Sequence, residues 1–382
     1  MLIIERKEFA RGARGRELLM GLRKSKATTS NDAVVQDIYG QYSVFRFKKI
    51  LILAALIVVL IVASFYGLTV GSYELSFTEV YQIVIDHLLN LGETLTTVDQ
   101  RVVWLQRMPR LMTAIVAGAG LAVAGSAMQS MMKNPLADPY TTGISSGASF
   151  GAVVAITLGL AVGSTQNATV IFAFFFSLIP AGVIILLSTF KRATSAMMIL
   201  AGISVMYIFN ALTQYLMLVA DNETMAAAYE WTIGTLSKSS WDSLPIMAAV
   251  VIVGGFTLLY LSRFLNAMNS GDNYAKTVGI DVEKMRIFIL ILISIISASI
   301  VSFTGIIGFV GLVGPHITRM LLGSDNRYLI LGSALMGASV MVVCDIISKL
   351  FTVTALPIGI ITALIGGPVF LFLIIRQKKE VW

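Results

Sequence analysis

The sequence predicts an all-α, polytopic membrane protein with about ten transmembrane helices and with both termini in the cytoplasm. Of the 382 residues, 57% are hydrophobic and 13% are charged, whereas soluble domains average about 25% charged residues. The mean hydropathy is +0.84, and apolar runs of about 20 residues, the length that crosses a bilayer, recur along the chain. Lysine and arginine are also distributed unevenly between alternate loops, which indicates a fixed orientation in the membrane.

Ten apolar runs qualify as transmembrane helices when the chain is followed from its N-terminus. The seventh and eighth are separated by Gly305 alone. The runs cover residues 50–70, 109–131, 141–162, 168–189, 196–219, 244–262, 286–304, 306–322, 328–348 and 356–375.

Two tails flank a ten-span domain at residues 50–376. Residues 1–49 are expected to be a basic cytosolic tail, and residues 377–382 a short cytosolic tail. The Gly, Ser and Thr content of residues 1–49 favours a mobile tail, and the alternative is a basic helix that lies on anionic lipid. The first apolar run begins near Ile50, which is too late for a secretory signal peptide, so we expect it to be retained as a span.

The distribution of basic residues predicts the orientation. An even number of spans places both termini on one side, and 23 lysines and arginines then fall on that side against 5 on the other. The tail before Ile50 contributes 11 of the 23, so the excess persists without it. Cytoplasmic loops are the ones enriched in basic residues. The net charge of +7 is therefore explained by membrane topology, and nucleic-acid binding is not expected.

Sequence motifs for nucleotide hydrolysis and for metal or thiol chemistry are absent. The chain has no phosphate-binding loop and no HExxH or CxxC motif. With two histidines and one cysteine, Cys344, it offers no ligand set for a metal site and no disulfide. We therefore expect a protein that is not an enzyme and has no cofactor. If ATP drives it, another subunit must hydrolyse the ATP.

Few ionisable residues lie within the predicted spans. Asp345 and Lys349 are four positions apart and could pair on one helix face; as intramembrane charges they are also candidates for a functional site. His316 and Arg319 lie in the glycine-rich eighth run, where we favour a hydrogen-bonded structural histidine over a substrate ligand. The second run carries small residues four apart, which allow close helix packing in membranes.

Four stretches carry a family resemblance. They are "RMPRLMTAIVAGAGLAVAGSAMQSMMKNPLADPYTTGISSGASFG" at residues 107–151, "GDNYAKTVGI" between runs six and seven, "GIIGFVGLVGPHITRMLLG" and "LPIGIITALIGGPVFLFLI". In order and spacing over residues 50–376, they resemble the FecCD-type permeases of vitamin B12 and iron-siderophore ABC importers. The resemblance implies a cell-membrane permease with ten spans, a second permease subunit that is identical or paralogous, two cytosolic ATP-binding subunits and an extracytoplasmic solute-binding protein.

The resemblance also implies a docking site for the binding protein. Arg107 and Arg110 at the external mouth of the second run match basic positions that hold glutamates of the binding protein. Lys349 matches a third such position, where the family has arginine. A guanidinium suits this role because it is always charged and can hold a carboxylate bidentately. Anchoring at the membrane interface is the alternative for Arg107.

A polar cytoplasmic loop at residues 269–286 is identified by the resemblance as the coupling helix that docks on the ATPase. A plain solvent loop is the alternative. Ser270 or Asp272 could cap a short helix there. The positions matched to the coupling helix are Gly271, Asp272, Ala275, Lys276 and Gly279.

A cytosolic gate and a pathway complete the implied machinery. Asn134 and Leu136 match gate positions after the second run, although Asn134 with Pro135 would also form an ordinary turn. Ser195, at the start of the fifth run, matches a second gate position. The fifth run also offers Asn210, Thr213 and Gln214, which could face either the pathway or a neighbouring helix.

Two functions remain open at the level of sequence. The first is an importer permease for a bulky metal chelate, above all an iron–siderophore, with haem, cobalamin and molybdate as variants of the cargo. The second is a stand-alone secondary transporter. A secondary transporter would need intramembrane acids for ion coupling and inverted repeats, and neither is evident.

Overall fold

The computed structural model describes residues 45–89, 95–161, 165–190, 194–351 and 355–376. The chain divides into two compact units, Met1–Ile52 and Leu53–Trp382. The first helix among the described residues covers Phe45–Thr69 and so includes the last five residues of the predicted N-terminal tail. Residues 1–44 and 377–382, on which the tail predictions rest, lie outside the described residues.

The described residues are helical, without a β-strand among them. A π-helical turn, Val102–Arg107, joins α3 to α4, and a 3-10 turn, Pro139–Thr142, precedes α5. The α-helices are α1 (Phe45–Thr69), α2 (Phe77–Leu89), α3 (Val98–Arg101), α4 (Met108–Met132), α5 (Ile144–Thr157), α6 (Thr165–Phe190), α7 (Ser195–Val219), α8 (Asn222–Ile233), α9 (Leu244–Tyr260), α10 (Ser262–Asn269), α11 (Asp272–Thr277), α12 (Val282–Thr304), α13 (Val310–Leu322), α14 (Asn326–Leu350) and α15 (Ile358–Arg376).

Six of the described helices are long and apolar enough to cross a membrane, and the pair α9–α10, bent by 55°, would make a seventh. This confirms the all-α, multi-pass class. Each of the ten predicted runs contains a helix, but the count of ten and the cytoplasmic placement of both termini remain predictions. Below, the predicted external face is the end of the molecule at Met108 of α4, and the predicted cytoplasmic face is the end at Met132.

Helix α4 is the most buried of the long helices, since 78% of the residues in the apolar stretch that it provides are buried. Its small residues allow this, as the four-residue spacing predicts. A Cβ added at Gly118 would clash with the carbonyl oxygen of Gly337 in α14, and one at Gly125 would clash with that of Gly311 in α13. Backbones in such contact gain van der Waals packing where lipid supplies no hydrophobic driving force. Helices α13 and α14 therefore both pack directly against α4.

Two helices, α5 and α13, are too short to cross a bilayer. They have 14 and 13 residues, about 20 Å at 1.5 Å per residue, against an apolar core of about 30 Å. The start of α13 lies beside the middle of α4, because a Cβ on Gly311 would be 3.2 Å from the carbonyl oxygen of Leu121. The glycine-rich eighth run is thus an irregular segment, residues 305–309, followed by a short helix. Such backbone inside a membrane protein is tolerated where protein covers it.

Three separate segments meet where α12 ends. Gly305, at φ +69°, turns the chain after α12, a conformation that suits glycine because it has no Cβ. The N–H of Thr235 donates to the carbonyl of Thr304 at 2.7 Å, and the N–H of Gly359 donates to the carbonyl of Gly234 at 3.2 Å. This glycine junction, formed by residues 234–235, 304–306 and 359, links the end of α12 to the segment after α8 and to the start of α15. It also holds the end of α8, a helix that was not predicted from the sequence.

Candidate functional site

A cluster of charges at the predicted external face joins α4 to α14. Asp345 accepts from Nε of Arg110 at 2.6 Å, and its Oδ2 atom forms an ion pair with Nζ of Lys349 at 2.7 Å. Asp345 and Lys349 are buried, and the side chain of Arg110 is 13% exposed. The i,i+4 pairing of Asp345 with Lys349, one of the two sequence interpretations, is present. Arg110, predicted separately, completes a triad of two cations and one carboxylate.

Arg107 lies beside this triad and is buried. Its Nη1 atom donates to the carbonyls of Leu68 and Thr69 at 2.9 and 3.0 Å, and its Nη2 atom donates to the carbonyl of Tyr73. The guanidinium thereby satisfies the end of α1 and the turn that follows. This local role matches neither the docking role nor interface anchoring, so docking by Arg107 stays a prediction.

The three basic side chains predicted for docking line one open cavity of about 600 Å³. Three cations face a single carboxylate, Asp345, so the wall of the cavity carries net positive charge. Seryl and amide groups, among them Ser237 and Gln106, complete the lining. An anionic group that enters from the predicted external face would meet charge-assisted donors. The structure therefore brings Arg107, Arg110 and Lys349 together at one cavity, and their role in docking stays a prediction.

The polar residues of α7 do not share one environment. Thr213 is buried and donates to the carbonyl of Phe209 at 2.8 Å, a bond within its own helix. Asn210 and Gln214 are exposed and, at a spacing of four, lie on one face. Exposed Tyr207 belongs to the same side of the helix. The structure leaves these two as pathway candidates and assigns Thr213 to the interior of the chain.

The predicted gate residues lie at the predicted cytoplasmic face. Asn134 Oδ1 accepts from the N–H of Leu136 at 2.9 Å, which is the ordinary turn offered as its alternative. The side chain of Leu136 is 50% exposed. Ser195 is the first residue of α7 and is half-buried, while Thr194 caps that helix. The gate roles of Asn134, Leu136 and Ser195 remain predictions.

A buried carboxylate, Asp138, follows the gate residues in the loop between α4 and α5. It accepts from the N–H of Tyr140 at 3.0 Å, and a Cβ added at Gly311 would be 3.3 Å from its Oδ1 atom. Burial raises the pKa of Asp138 to about 6, although the hydrogen bond from Tyr140 opposes this. Sequence reasoning missed this residue, because no feature of the motif indicates that the loop folds inward.

The predicted coupling segment, residues 269–286, runs from the last residue of α10 through α11 into the first turn of α12. Gly271 precedes α11 at φ +128°, Ala275 is fully buried, and Gly279 follows the helix at φ +85°. Lys276 is exposed, and so are Tyr274 and Val278, which are 54% and 53% exposed. The segment therefore has one buried residue, Ala275, that holds it against the protein. Its exposed ridge, formed by Tyr274, Lys276 and Val278, is available for contact with a partner protein.

Asp272 does not cap α11, contrary to one of the two capping predictions, and neither does Ser270, because the residue before the helix is Gly271 with no side-chain cap. The Asp272 carboxylate accepts from Lys133 at 2.7 Å and from Arg286 at 3.2 Å. Burial acts to raise the pKa of Asp272, but the bond from Lys133 and the charge of Arg286 outweigh it and hold the pKa below its usual value. The Asp272 carboxylate therefore binds Lys133 and Arg286 and does not cap α11.

His316 and Arg319 project from the short helix α13 and are buried. Within the described part of the chain, neither ring nitrogen of His316 has a hydrogen-bond partner. Its ring instead packs edge-on against Phe370, with centroids 5.8 Å apart. The expectation that His316 forms hydrogen bonds was therefore wrong. Helix α13 starts deep in the bundle, so the imidazole ring lies against the apolar helix α15. Arg319 donates to Gln129 at 3.4 Å.

The model of the FecCD transport family matches residues 30–376. The chain belongs to this family. A hemin transport system permease protein of Yersinia pestis is 32% identical over 88% of this chain and 98% of its own length. A cobalamin import system permease protein of Halobacterium salinarum is 39% identical over 74% of this chain and 75% of its own length.

A solved inward-facing structure agrees with the family membership. It is of a transporter assigned to the metal-chelate type of ABC transporters, covers 85% of this chain and 99% of its own, and superposes with a TM-score of 0.76 at 29% identity. These likenesses confirm the resemblance found in the sequence. The protein is a multi-pass ABC importer permease of the cell membrane, a class of transport proteins rather than of enzymes.

Proposed function

We propose that this FecCD family member is one of two permease subunits that carry an iron–siderophore complex inward. Two separate cytosolic ATPases supply the energy, and an extracytoplasmic binding protein delivers the cargo. The observation that carries the proposal is the segment α10–α11, whose exposed ridge lies at the predicted cytoplasmic face of a chain that has no phosphate-binding loop.

The coupling role is supported by how α11 is attached. Asp272 at its start is held by Lys133, which follows α4, and by Arg286 of α12. Ala275 is buried. A force applied to Tyr274 or Val278 would therefore act on two long helices and not on a loose loop. Gly271, Asp272, Ala275, Lys276 and Gly279 form this coupling element, and nucleotide-driven closure of the ATPases would move it.

The docking role is supported by the cationic cavity at the other face. Arg110 is paired with Asp345 through one nitrogen and has further donors directed at Ser237 and Ser348 at 3.3 Å. A glutamate of the binding protein could replace these weak bonds with charge-assisted ones. Arg107 and Lys349 add positive charge to the same wall. Leu136, Asn134 and Ser195 would close the opposite end of the pathway, and Asn210 and Gln214 would line it.

Uptake by proteoliposomes tests this function. The chain is reconstituted with its ATPases and binding protein, and vesicles are loaded with ATP on the ATPase side and offered a ⁵⁵Fe-labelled ferric hydroxamate siderophore. We expect accumulation that requires ATP and stops when the ATPases carry an inactivated catalytic glutamate. Vesicles that contain the permease alone, with imposed proton or sodium gradients, are the control. Accumulation in that control would establish a secondary transporter and overturn the proposal.

Competition defines the cargo within the same assay. Haem, cobalamin and molybdate are offered in excess over the labelled ferric siderophore. We expect an unlabelled ferric siderophore to compete and the other three to have no effect. ATP-driven uptake of haem, cobalamin or molybdate in place of the siderophore would retain the importer and replace its cargo.

A further inference from the structure

Asn266, in α10, forms hydrogen bonds to both residues at the start of α14. Its Oδ1 atom accepts from the backbone N–H of Asn326 at 2.8 Å and from the Nδ2 atom of Asn326 at 2.9 Å. Its own Nδ2 atom donates to Asp325 Oδ1 at 2.8 Å. Asp325 is in turn the N-cap of α14. One amide side chain of α10 therefore binds the cap and the first residue of α14.

The bonds continue from Asn326 into α4 and α13. Asn326 is fully buried, and its Oδ1 atom accepts from Ser130 of α4 at 2.7 Å. The preceding residue of α4, Gln129, is also fully buried and accepts from Arg319 of α13 at 3.4 Å. These residues connect α10, α14, α4 and α13 through buried polar contacts, and buried polar groups lose free energy when such partners are taken away.

The same asparagine is close to the coupling element. Helix α10 leads into α11 through Ser270 and Gly271. Asn266 also lines an open pocket of about 340 Å³ together with Tyr274 of α11 and Arg327 of α14. A displacement of α11 would therefore act on α10 and on the bonds of Asn266, in addition to the ion pairs that Asp272 forms with Lys133 and Arg286. Packed interfaces of this kind shift between discrete arrangements and do not deform continuously.

We infer that Asn266 is the positioning residue that passes the movement of α11 to the first turn of α14, and from there through Ser130 and Gln129 to α13. This inference rests on the proposed function, because it assigns the route by which ATPase closure reaches the spans. Asn266 connects α10 to α14 through hydrogen bonds. Loss of these bonds should therefore separate ATP hydrolysis from the movement of the spans, while the ATPases keep their contact with α11. A side chain needed for folding alone would not alter the number of ATP molecules used for each cargo molecule.

The test compares Asn266→Ala with Asn222→Ala in the complete transporter. Asn222 is the exposed first residue of α8, outside the coupling segment, and has no side-chain hydrogen bond among the described residues, so it is an asparagine control. For Asn266→Ala we expect ATP hydrolysis close to that of the wild type and an uptake of ferric siderophore per ATP that is about fivefold lower. Asn222→Ala should keep the wild-type ratio. A ratio for Asn266→Ala within about twofold of wild type would overturn the inference.

A distance measurement keeps the two proposals separable. Spin labels are placed by Asn273→Cys on α11 and Met320→Cys on α13, both exposed positions, in a background with Cys344→Ser. ATP binding should change the separation of the labels, and Asn266→Ala should reduce that change by at least about half. An unreduced change contradicts the inference even if no cargo is transported. Absence of ATP-driven uptake by the wild type contradicts only the proposed function.

A milder variant covers failure of Asn266→Ala to fold. Ser130→Ala deletes one hydroxyl and its bond to Asn326, with little change in volume. We expect it to lower the uptake per ATP by about twofold to threefold without loss of monodisperse protein. If a well-folded Ser130→Ala transporter has the wild-type uptake per ATP, the movement does not pass through the bond between Ser130 and Asn326.

Discussion

Arg110 and Asp345 are 235 positions apart in the sequence, and their Nε and Oδ1 atoms lie 2.6 Å apart. The pair ties the predicted external end of α4 to α14, and Lys349 shares the carboxylate. Because Asp345 balances two cations in a buried setting, the cluster depends on it more than on either partner.

Asp345→Asn should therefore destabilise the protein by about 3–5 kcal/mol, the cost of leaving a buried charge without its partner. The measurement is the midpoint of thermal unfolding in detergent, followed by tryptophan fluorescence. Lys284→Ala, which removes the exposed pair between Lys284 and Asp281, is the control and should cost less than about 1 kcal/mol. Equal midpoints for the two variants would contradict the structural importance of the triad.

Arg110→Gln should weaken docking of the binding protein by about tenfold at low salt, with a smaller effect at high salt because screening already weakens the ionic contact. Surface plasmon resonance with the reconstituted permease measures the affinity. Arg101→Gln, a change at an exposed arginine of the same predicted face, is the matched control. If both variants bind as wild type does, the cationic cavity is not a docking site.

Gly125→Ala should prevent the close approach of α4 to α13, because the added methyl group would overlap the carbonyl oxygen of Gly311. Overpacking of this kind costs about 1–3 kcal/mol or more. Gly255→Ala provides the control, since a Cβ there meets nothing within 4 Å and alanine favours a helix by up to about 1 kcal/mol. The thermal midpoint should fall for the first variant and stay level or rise for the second. The reverse order would contradict the packing described.

Gly279→Val should lower the uptake per ATP by about fivefold, because Gly279 has φ +85° after α11 and a branched residue there would shift the coupling helix. Gly159→Val is the matched control. Gly159 also has a positive φ, +58°, with open space around it, but it follows α5 at the predicted external face. Normal coupling in the Gly279 variant, or an equal loss in the Gly159 variant, would argue against α11 as the coupling element.

Asp138→Asn should stabilise the protein increasingly as the pH rises. Burial raises the pKa of Asp138 to about 6, above the value of about 4 in an unfolded chain. Its contribution to stability is thus fully present below about pH 4 and is lost as the pH rises through 6, by up to about 3 kcal/mol. Asparagine still accepts the Tyr140 N–H but carries no charge. Thermal midpoints of the variant and the wild type at pH 5 and pH 8 measure the difference.

Asp221→Asn is the control for this pH dependence. The hydrogen bond from the Thr224 backbone lowers the pKa of the exposed Asp221, so its contribution to stability is lost as the pH falls. That contribution is fully present above the unfolded pKa of about 4, so the difference between Asp221→Asn and wild type should stay constant between pH 5 and pH 8. A difference between Asp138→Asn and wild type that does not change with pH would show that Asp138 keeps one protonation state throughout.

Much of this molecule follows from local sequence. Long apolar runs predict α4, α12 and α14, and the i,i+4 spacing predicts the contact of Asp345 with Lys349. The partners of Arg107 are not predictable, because they are backbone carbonyls brought together only when the chain turns after α1. The same holds for Asp272, which looks like a cap in sequence but is taken by Lys133 from another loop. Helix α8 is not predictable from apolar runs, because polar residues such as Asn222 and Glu230 make it too hydrophilic for a membrane span.

The glycine junction at residues 234–235, 304–306 and 359 has a consequence for biogenesis. Helix α13 is too short to cross a bilayer by itself, and the backbone before it packs closely against Gly234 and Gly359. That junction cannot close before residue 359 has left the ribosome and entered the bilayer. The core of this permease must accordingly be completed after the synthesis of α15 has begun, and until then the segment that joins α12 to α13 lacks part of its packing.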